Sequence, residues 1–130
     1  MFIDSKLLDE LTNRAKDSPR LRMHFDLRNT TEDSSQRMLN AIEPGSEEVI
    51  HRHTTTSETV VVLRGHLQEI LYDENGIESQ VVDLVPGSDI IAINVPKGQW
   101  HTCRAVISGT VLLTTKDGCY SPLEDNDILK

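Results

Sequence analysis

The residues best suited to chemistry in this chain of 130 residues are two histidines and a glutamate close together in the sequence. His51 and His53 are two residues apart in a β-type segment, so their imidazoles leave the same face of a strand. After the polar connection 54–57, a second β-type segment begins at Glu58. If the two strands pair as a hairpin, Glu58 lies opposite His53 with Cβ atoms about 5 Å apart. The pattern predicts two imidazoles and a carboxylate in one pocket.

A third histidine follows a predicted tight turn. Pro96 and Gly98 favour the turn, and His101 opens the strand after it. Three imidazoles and one carboxylate suit a divalent transition metal, and an octahedral ion would keep two positions free. We therefore expect one ion per chain (Zn, Fe, Mn, Ni or Co) at a site formed by His51, His53, Glu58 and His101.

The elements that must position these side chains are one helix and a series of short strands. Leucines at 7, 8 and 11 and an alanine at 15 have helical spacing, Asp4 or Ser5 can cap the start, and Pro19 ends the helix. Asn75-Gly76 predicts a hairpin between 66–73 and 77–84. Further strands are expected at 38–42, 58–63, 90–95, 100–106 and 110–115, with 20–25 ambiguous. This order indicates an antiparallel sandwich or barrel.

The outer face of the strand that begins at Glu58 carries Thr59, Val61 and Leu63 and is mostly apolar. The N-terminal helix or a second subunit could cover it. The pattern is a modest argument for a homodimer.

Composition bounds the class of protein. With 26% charged and 37% hydrophobic residues, the chain has the profile of a single soluble domain. The net charge of −8 argues against general nucleic-acid binding. No apolar run is long enough for a bilayer, and the acidic N-terminus does not fit a secretory signal, so we expect a cytoplasmic protein. Cys103 and Cys119 are expected to be reduced thiols.

The glycines around the first histidines match a known motif. Gly45, His51, His53, Glu58 and Gly65 have the spacing of the first motif of the cupin family, which this sequence resembles. The second cupin motif is matched only in part.

Pro96, Gly98 and His101 fit that second motif, whereas Ile90 and Ala105 stand where it has glycine and asparagine. Both departures lie outside the predicted ligands, so the metal hypothesis is kept.

Four segments, 18–22, 36–45, 61–65 and 118–122, narrow the resemblance to the small cupin metalloproteins called the WbuC family. The resemblance implies an all-β fold, a conical antiparallel barrel or jelly roll. In this fold, an N-terminal helix at residues 1–20 would pack on a barrel formed by residues 21–130. The resemblance also implies the four metal ligands above, often a dimer, and an association with surface-polysaccharide gene clusters. The resemblance to this family does not imply a particular reaction.

Five residues are candidates for binding an anionic or sugar-derived substrate: Arg20, Arg22, Arg37, Lys97 and Tyr72. For the arginines, salt bridges to an acidic surface are the favoured alternative to an anion site. Glu43, Gln68 and Tyr72 are candidate bases because their strands could face the cavity. Cys103 shares the strand face of His101, and Trp100 is expected on the opposite face.

Three functions fit these residues. The leading hypothesis is a metal-dependent enzyme, of isomerase or epimerase type, that acts on a small sugar-derived substrate in polysaccharide-related metabolism. An Fe(II)-dependent oxygenase would use the same ligands. A non-catalytic metabolite-binding module ranks lowest, since only 4% of residues are aromatic and could stack on sugars. Whether the protein is an enzyme, and which metal is native, is left open by the sequence.

Overall fold

Helix α1 (Ser5–Asp17) is the first element of the computed structural model, which describes residues 1–130. Its N-cap is Asp4, whose carboxylate accepts a hydrogen bond from the backbone N–H of Leu7 at 3.0 Å. The helix ends before Pro19, and Ser18 has already left the helical region with φ −82° and ψ 138°. Neither this helix nor the short 3₁₀ helix near the C-terminus could cross a membrane.

Eight antiparallel strands follow the helix, at positions close to those predicted. They are β1 (Arg22–Asp26), β2 (Ser35–Ile42), β3 (Glu58–Arg64), β4 (Leu67–Tyr72), β5 (Glu78–Leu84), β6 (Ala92–Val95), β7 (Trp100–Ala105) and β8 (Thr110–Asp117), and a 3₁₀ helix, η1 (Asp125–Asp127), comes last. A five-stranded sheet has the order β1-β2-β8-β3-β6, and a three-stranded sheet has the order β5-β4-β7. The architecture confirms the expected all-β jelly roll with an N-terminal helix.

The hydrophobic core has two parts, one on each face of the larger sheet. Between the sheets, residues such as Val60, Leu67 and Leu84 form one buried cluster. On the outer face, α1 contributes Leu11 and its neighbours to a second cluster. Leu63 packs against this second cluster. The helix, one of the two covers that the sequence allowed for the outer face of β3, therefore lies over the end of this strand.

The structure differs from the predicted hairpin between His53 and Glu58. The backbone of His51 pairs with that of His101 instead, with N···O distances of 3.0 and 2.8 Å, which extends the smaller sheet. Glu58 belongs to the larger sheet and lies in register with Val95 and Lys116. The polar segment 54–57 thus crosses from one sheet to the other, because the two flanking segments find partners in different sheets. The histidines and the glutamate meet across the barrel.

The C-terminal tail returns to the same region. Ile128 makes a second bridge to His51, and the N–H of Leu129 donates to the carbonyl of Ile50 at 2.8 Å. Between β8 and this contact the tail passes along one side of the barrel cavity, where Tyr120 and Leu123 contribute to its wall.

Candidate metal centre

Three imidazoles converge at one end of the barrel interior. His51 and His53 lie on the segment that joins the smaller sheet, and His101 lies on β7. Their ring centroids are 4.3 to 5.6 Å apart. One nitrogen from each ring lies within 4.8 Å of the others, so the three side chains could hold a metal ion.

Backbone carbonyls fix the orientation of two of these rings. Nδ1 of His51 lies 2.9 Å from the carbonyl oxygen of Val49, and Nδ1 of His101 lies 2.9 Å from that of Gln99. A carbonyl can only accept, so Nδ1 carries a proton in each ring, and in the neutral imidazole Nε2 then keeps its lone pair. Metal-ligating histidines are commonly oriented in this way.

Glu58 completes the cluster from the first position of β3. Its carboxylate oxygens lie 3.4 Å from Nε2 of His53 and 3.9 Å from Nε2 of His101. Burial opposes ionisation of this carboxyl, but the adjoining His53, with His101 and Lys116, holds its pKa below the usual value. The group is therefore a carboxylate at neutral pH, which is the form that binds a metal.

The donor set fits a divalent metal. The Nε2 atoms of His53 and His101 are buried and make no hydrogen bond, although unsatisfied buried polar atoms are costly. Burial, with the neighbouring His51, lowers the pKa of His101, so this imidazole is neutral and able to coordinate. A cation bound among these side chains would satisfy the nitrogen of His101 directly, and that of His53 once its proton has moved to Nδ1.

Lys116, on β8, is a neighbour that the sequence did not single out. Its Nζ donates to Nδ1 of His53 at 3.4 Å, so the His53 proton lies on Nε2 in this arrangement. Coordination through Nε2 would shift that proton to Nδ1 and require Lys116 to release the contact. Burial lowers the pKa of Lys116, and the negative charge of Glu58 opposes that shift.

The cluster opens into a cavity of about 360 Å³ inside the barrel. Its apolar wall includes Ile42, Val60 and Leu112 from the larger sheet. Its polar lining, apart from the four predicted ligands, includes Arg20, Arg22, Gln36, Asn40, Glu47, Glu48, Glu69, Thr114, Lys116 and Ser121.

Two of the five predicted substrate-binding residues, Arg20 and Arg22, line this cavity. Arg22 donates to Glu48 at 2.8 Å and to Ser46 at 2.9 Å, but its Nη2 is buried and makes no hydrogen bond. Glu48 also approaches Nδ1 of His51 at 3.6 Å. A chain of contacts therefore connects Arg22 with a predicted ligand.

The other three predicted substrate-binding residues lie outside the cavity lining. Arg37 is paired with Asp33 at 3.3 Å and donates to backbone carbonyls. Lys97 is exposed on the turn before β7, and Tyr72 lies at the end of β4. A role for these residues in substrate binding stays a prediction.

Two of the candidate bases have structural partners. The buried carboxylate of Glu43 accepts hydrogen bonds from Ser108 Oγ at 2.6 Å and from the N–H of Gly109 at 2.8 Å, and so holds the turn before β8. Gln68 bridges Asp83 and Arg104 away from the cavity. Glu69 beside it lines the cavity and was missed, although its alternation with the core residue Leu67 could have indicated an inward side chain.

The neighbours of His101 lie where strand alternation places them. Cys103 lines the cavity, and burial raises the pKa of its thiol well above the usual value, which disfavours the thiolate. Trp100 is outside the cavity, and the guanidinium of Arg52 packs 4.5 Å from its ring centroid. Both cysteines are free.

Comparison with solved structures defines the class of this fold. KdgF from Halomonas sp. matches with a TM-score of 0.60 at 16% identity, covering 84% of this chain and 86% of KdgF. A cupin 2 domain-containing protein from Halorhodospira halophila matches with a TM-score of 0.58 at 20% identity, covering 82% of this chain and 71% of that protein. The protein has the cupin fold.

The larger CapF, a capsular polysaccharide assembling protein from Staphylococcus aureus, matches with a TM-score of 0.63 at 19% identity. The match covers 86% of this chain and 32% of CapF. Residues 3–84 match the family described as a domain of unknown function (DUF6016), and the chain belongs to this family. No curated protein matches the sequence.

Proposed function

We propose that the protein is a metal-dependent enzyme of isomerase or epimerase type that acts on a small, oxygen-rich, sugar-derived substrate. The observation that carries the proposal is the convergence of three imidazoles, two with buried unpartnered Nε2 atoms, beside a cavity in the barrel. Buried nitrogen atoms without a hydrogen bond are rare in folded proteins, and the adjoining cavity gives a ligand access to these two.

His51, His53, Glu58 and His101 would hold one divalent ion. Such an ion supplies Lewis-acid polarisation of a carbonyl or hydroxyl oxygen. The protein orients the rings through the carbonyls of Val49 and Gln99, and the apolar wall limits the water around the ligand set.

The sugar assignment is supported by the chemistry of the cavity wall. Amide, hydroxyl, guanidinium and carboxyl groups surround the ligand set, and this mixture suits a hydroxylated molecule. The resemblance to the WbuC family and the similarity to CapF, a capsular polysaccharide assembling protein, point towards surface-polysaccharide metabolism.

Turnover by metal-loaded protein tests this proposal. Nucleotide-linked and phosphorylated sugars would be incubated with the protein and followed by ¹H NMR in D₂O. An isomerase or epimerase incorporates solvent deuterium at carbon, and chelation or the double variant His51→Ala/His53→Ala should abolish the exchange. Oxygen uptake without deuterium incorporation would instead identify the Fe(II)-dependent oxygenase. Neither activity with metal-loaded protein would favour a metabolite-binding cupin.

Arg20 tests whether the substrate is anionic. Its backbone N–H is bound to Ser18, and no ion pair occupies its side chain, which borders the cavity. We expect Arg20→Ala to weaken binding of a nucleotide-linked sugar about tenfold, as for a lost charge-assisted hydrogen bond. Arg104→Ala, on the outside of β7, is the matched control for loss of positive charge. Equal affinity of both variants in calorimetry would reject the anion site.

We also propose that the chain forms a homodimer. Ile90 and Ile91 are 48% and 47% exposed at the edge of the larger sheet, where the carbonyl of Ile91 accepts from the N–H of Val62. Adjacent exposed isoleucines beside a strand edge are a surface that a second subunit would bury.

A further inference from the structure

Glu69 is a buried carboxyl for which the fold has no structural use. It lies on β4 in register with Cys103 of β7, and both side chains line the cavity. Only 2% of the residue is exposed, which places it among the most buried side chains of the protein. Apolar wall residues such as Val60 and Leu112 share the cavity with it.

The partners of Glu69 differ from those of the other cavity-side carboxyls. Glu58 adjoins two imidazoles, and Glu48 pairs with Arg22 at 2.8 Å. No hydrogen bond or cation stabilises the Glu69 carboxyl, and its charged neighbours are Glu48 and Glu58, which repel its negative form. A carboxyl in such a place costs free energy of folding even when it is neutral.

We propose that Glu69 is a ligand-binding residue of the cavity, whose carboxyl hydrogen-bonds an oxygen atom of the molecule that coordinates the metal at the histidine cluster. The inference rests on the proposed metal site and adds a second recognition element to it. A molecule held between the two would present one oxygen to the ion and a second oxygen acceptor to β4. Hydroxy acids and hydroxy ketones are ligands of this kind.

The protonation state of the free carboxyl suits a donor. In the metal-free protein, burial, with repulsion from Glu48 and Glu58, raises the pKa of Glu69 to about 9, so there the carboxyl carries a proton at neutral pH. A neutral acid can donate its O–H to a carbonyl or carboxylate oxygen, which an ionised carboxylate cannot do.

Glycolate, a small chelating hydroxy acid, is the probe. Full-length protein loaded with Co(II) would be titrated with glycolate, and the visible spectrum of the metal would report binding. We expect Glu69→Leu to weaken glycolate binding at least about tenfold, because a hydrogen-bond donor to the ligand is lost. Glu69→Gln keeps an N–H donor of similar shape and should bind within about threefold of wild type.

Glu43→Gln is the matched control, since Glu43 is a buried carboxyl that serves Ser108 and Gly109. We expect this control to lower the melting temperature and leave glycolate binding unchanged. Glycolate binding by Glu69→Leu as tight as that of wild type would overturn the role of Glu69 alone. Failure of wild-type Co(II) protein to respond to glycolate would overturn the open metal position, and with it both the proposed function and this inference.

Discussion

At the scale of single residues, the most informative side chains are those whose hydrogen bonds are incomplete. His53 and His101 each leave a buried nitrogen without a hydrogen bond, and the carboxyl of Glu69 lines the cavity with only negative charges as its charged neighbours. These groups surround one cavity. Proteins tolerate such costs mainly where a ligand meets them, so these residues support the proposed positions of the metal and the substrate.

Glu69 should make the stability of the metal-free protein depend on pH. Its pKa is 4.5 as a free side chain and about 9 in the fold, so between these values the folded state binds a proton that the unfolded state has lost. The stability that this proton contributes is therefore fully present below pH 4.5 and is lost as the pH rises towards about 9. Relative to wild type, Glu69→Gln should gain up to about 1.4 kcal/mol per pH unit across this window.

Urea denaturation of both metal-free proteins over a series of pH values measures this difference. The comparison cancels the other titrating groups, because Glu48 and Glu58 are present in both proteins. A stability difference that does not change with pH would show that the folded and unfolded states protonate Glu69 alike.

The alternation of side chains along the strands predicted the direction of some of these residues and not of others. The same-face positions of His101 and Cys103 followed from β periodicity alone. Glu69 was missed although it alternates with the buried Leu67, because carboxyl side chains are rarely buried and this one was read as an outward residue. The unpartnered Nη2 of Arg22 depends on Ser46 and Glu48, which are far from it in sequence.

At the scale of elements, the helix and most strands could be predicted because their signals are local. Asp4 caps α1, and the Asn75-Gly76 turn joins β4 to β5. The pairing of the ligand segment could not be predicted in this way. Its partner His101 is distant in sequence, and this pairing displaced the short hairpin that local spacing favoured.

Gly65 offers a sharp test at this scale, because it closes the turn between β3 and β4. Its φ is +94°, and a Cβ at this position would lie 2.3 Å from Oγ1 and 2.6 Å from Cα of Thr110. Gly65→Ala should therefore combine backbone strain with a clash and destabilise the fold by more than about 2 kcal/mol.

Gly87→Ala is the matched control, since Gly87 has φ +81° but nothing within 4 Å of the added Cβ. Only the strain of about 1 kcal/mol is expected there. Chemical denaturation of the two variants separates the free energy of the clash from that of the backbone strain. Equal losses of stability would mean that Thr110 moves aside without cost.

At the scale of the whole molecule, the proposed metal site lies between the two sheets, and neither sheet alone supplies all of its residues. The larger sheet supplies Glu58 and Lys116, and the smaller sheet supplies His101 with His51 bridged to it. The motif spacing predicted the composition of this cluster. The cavity and the position of the tail beside it depend on how the two sheets face each other.

The homodimer is a prediction at this scale. Ile91→Ser removes an exposed apolar side chain at the edge of the larger sheet, so it should weaken association and shift the protein towards monomer at micromolar concentration. Light scattering coupled to size exclusion would measure the mass, with Ile77→Ser, 62% exposed beside the β4–β5 turn, as control. A wild-type protein that is monomeric at every concentration would contradict the dimer.

We expect His51, His53, Glu58 and His101 to hold one divalent metal ion. Elemental analysis of the purified protein, combined with X-ray absorption at the edge of the metal found, tests this claim most directly. We expect close to one ion per chain, with imidazole and oxygen ligands in wild type and none retained by His51→Ala/His53→Ala. Full metal occupancy in the double variant, or sulfur in the coordination shell, would contradict the claim.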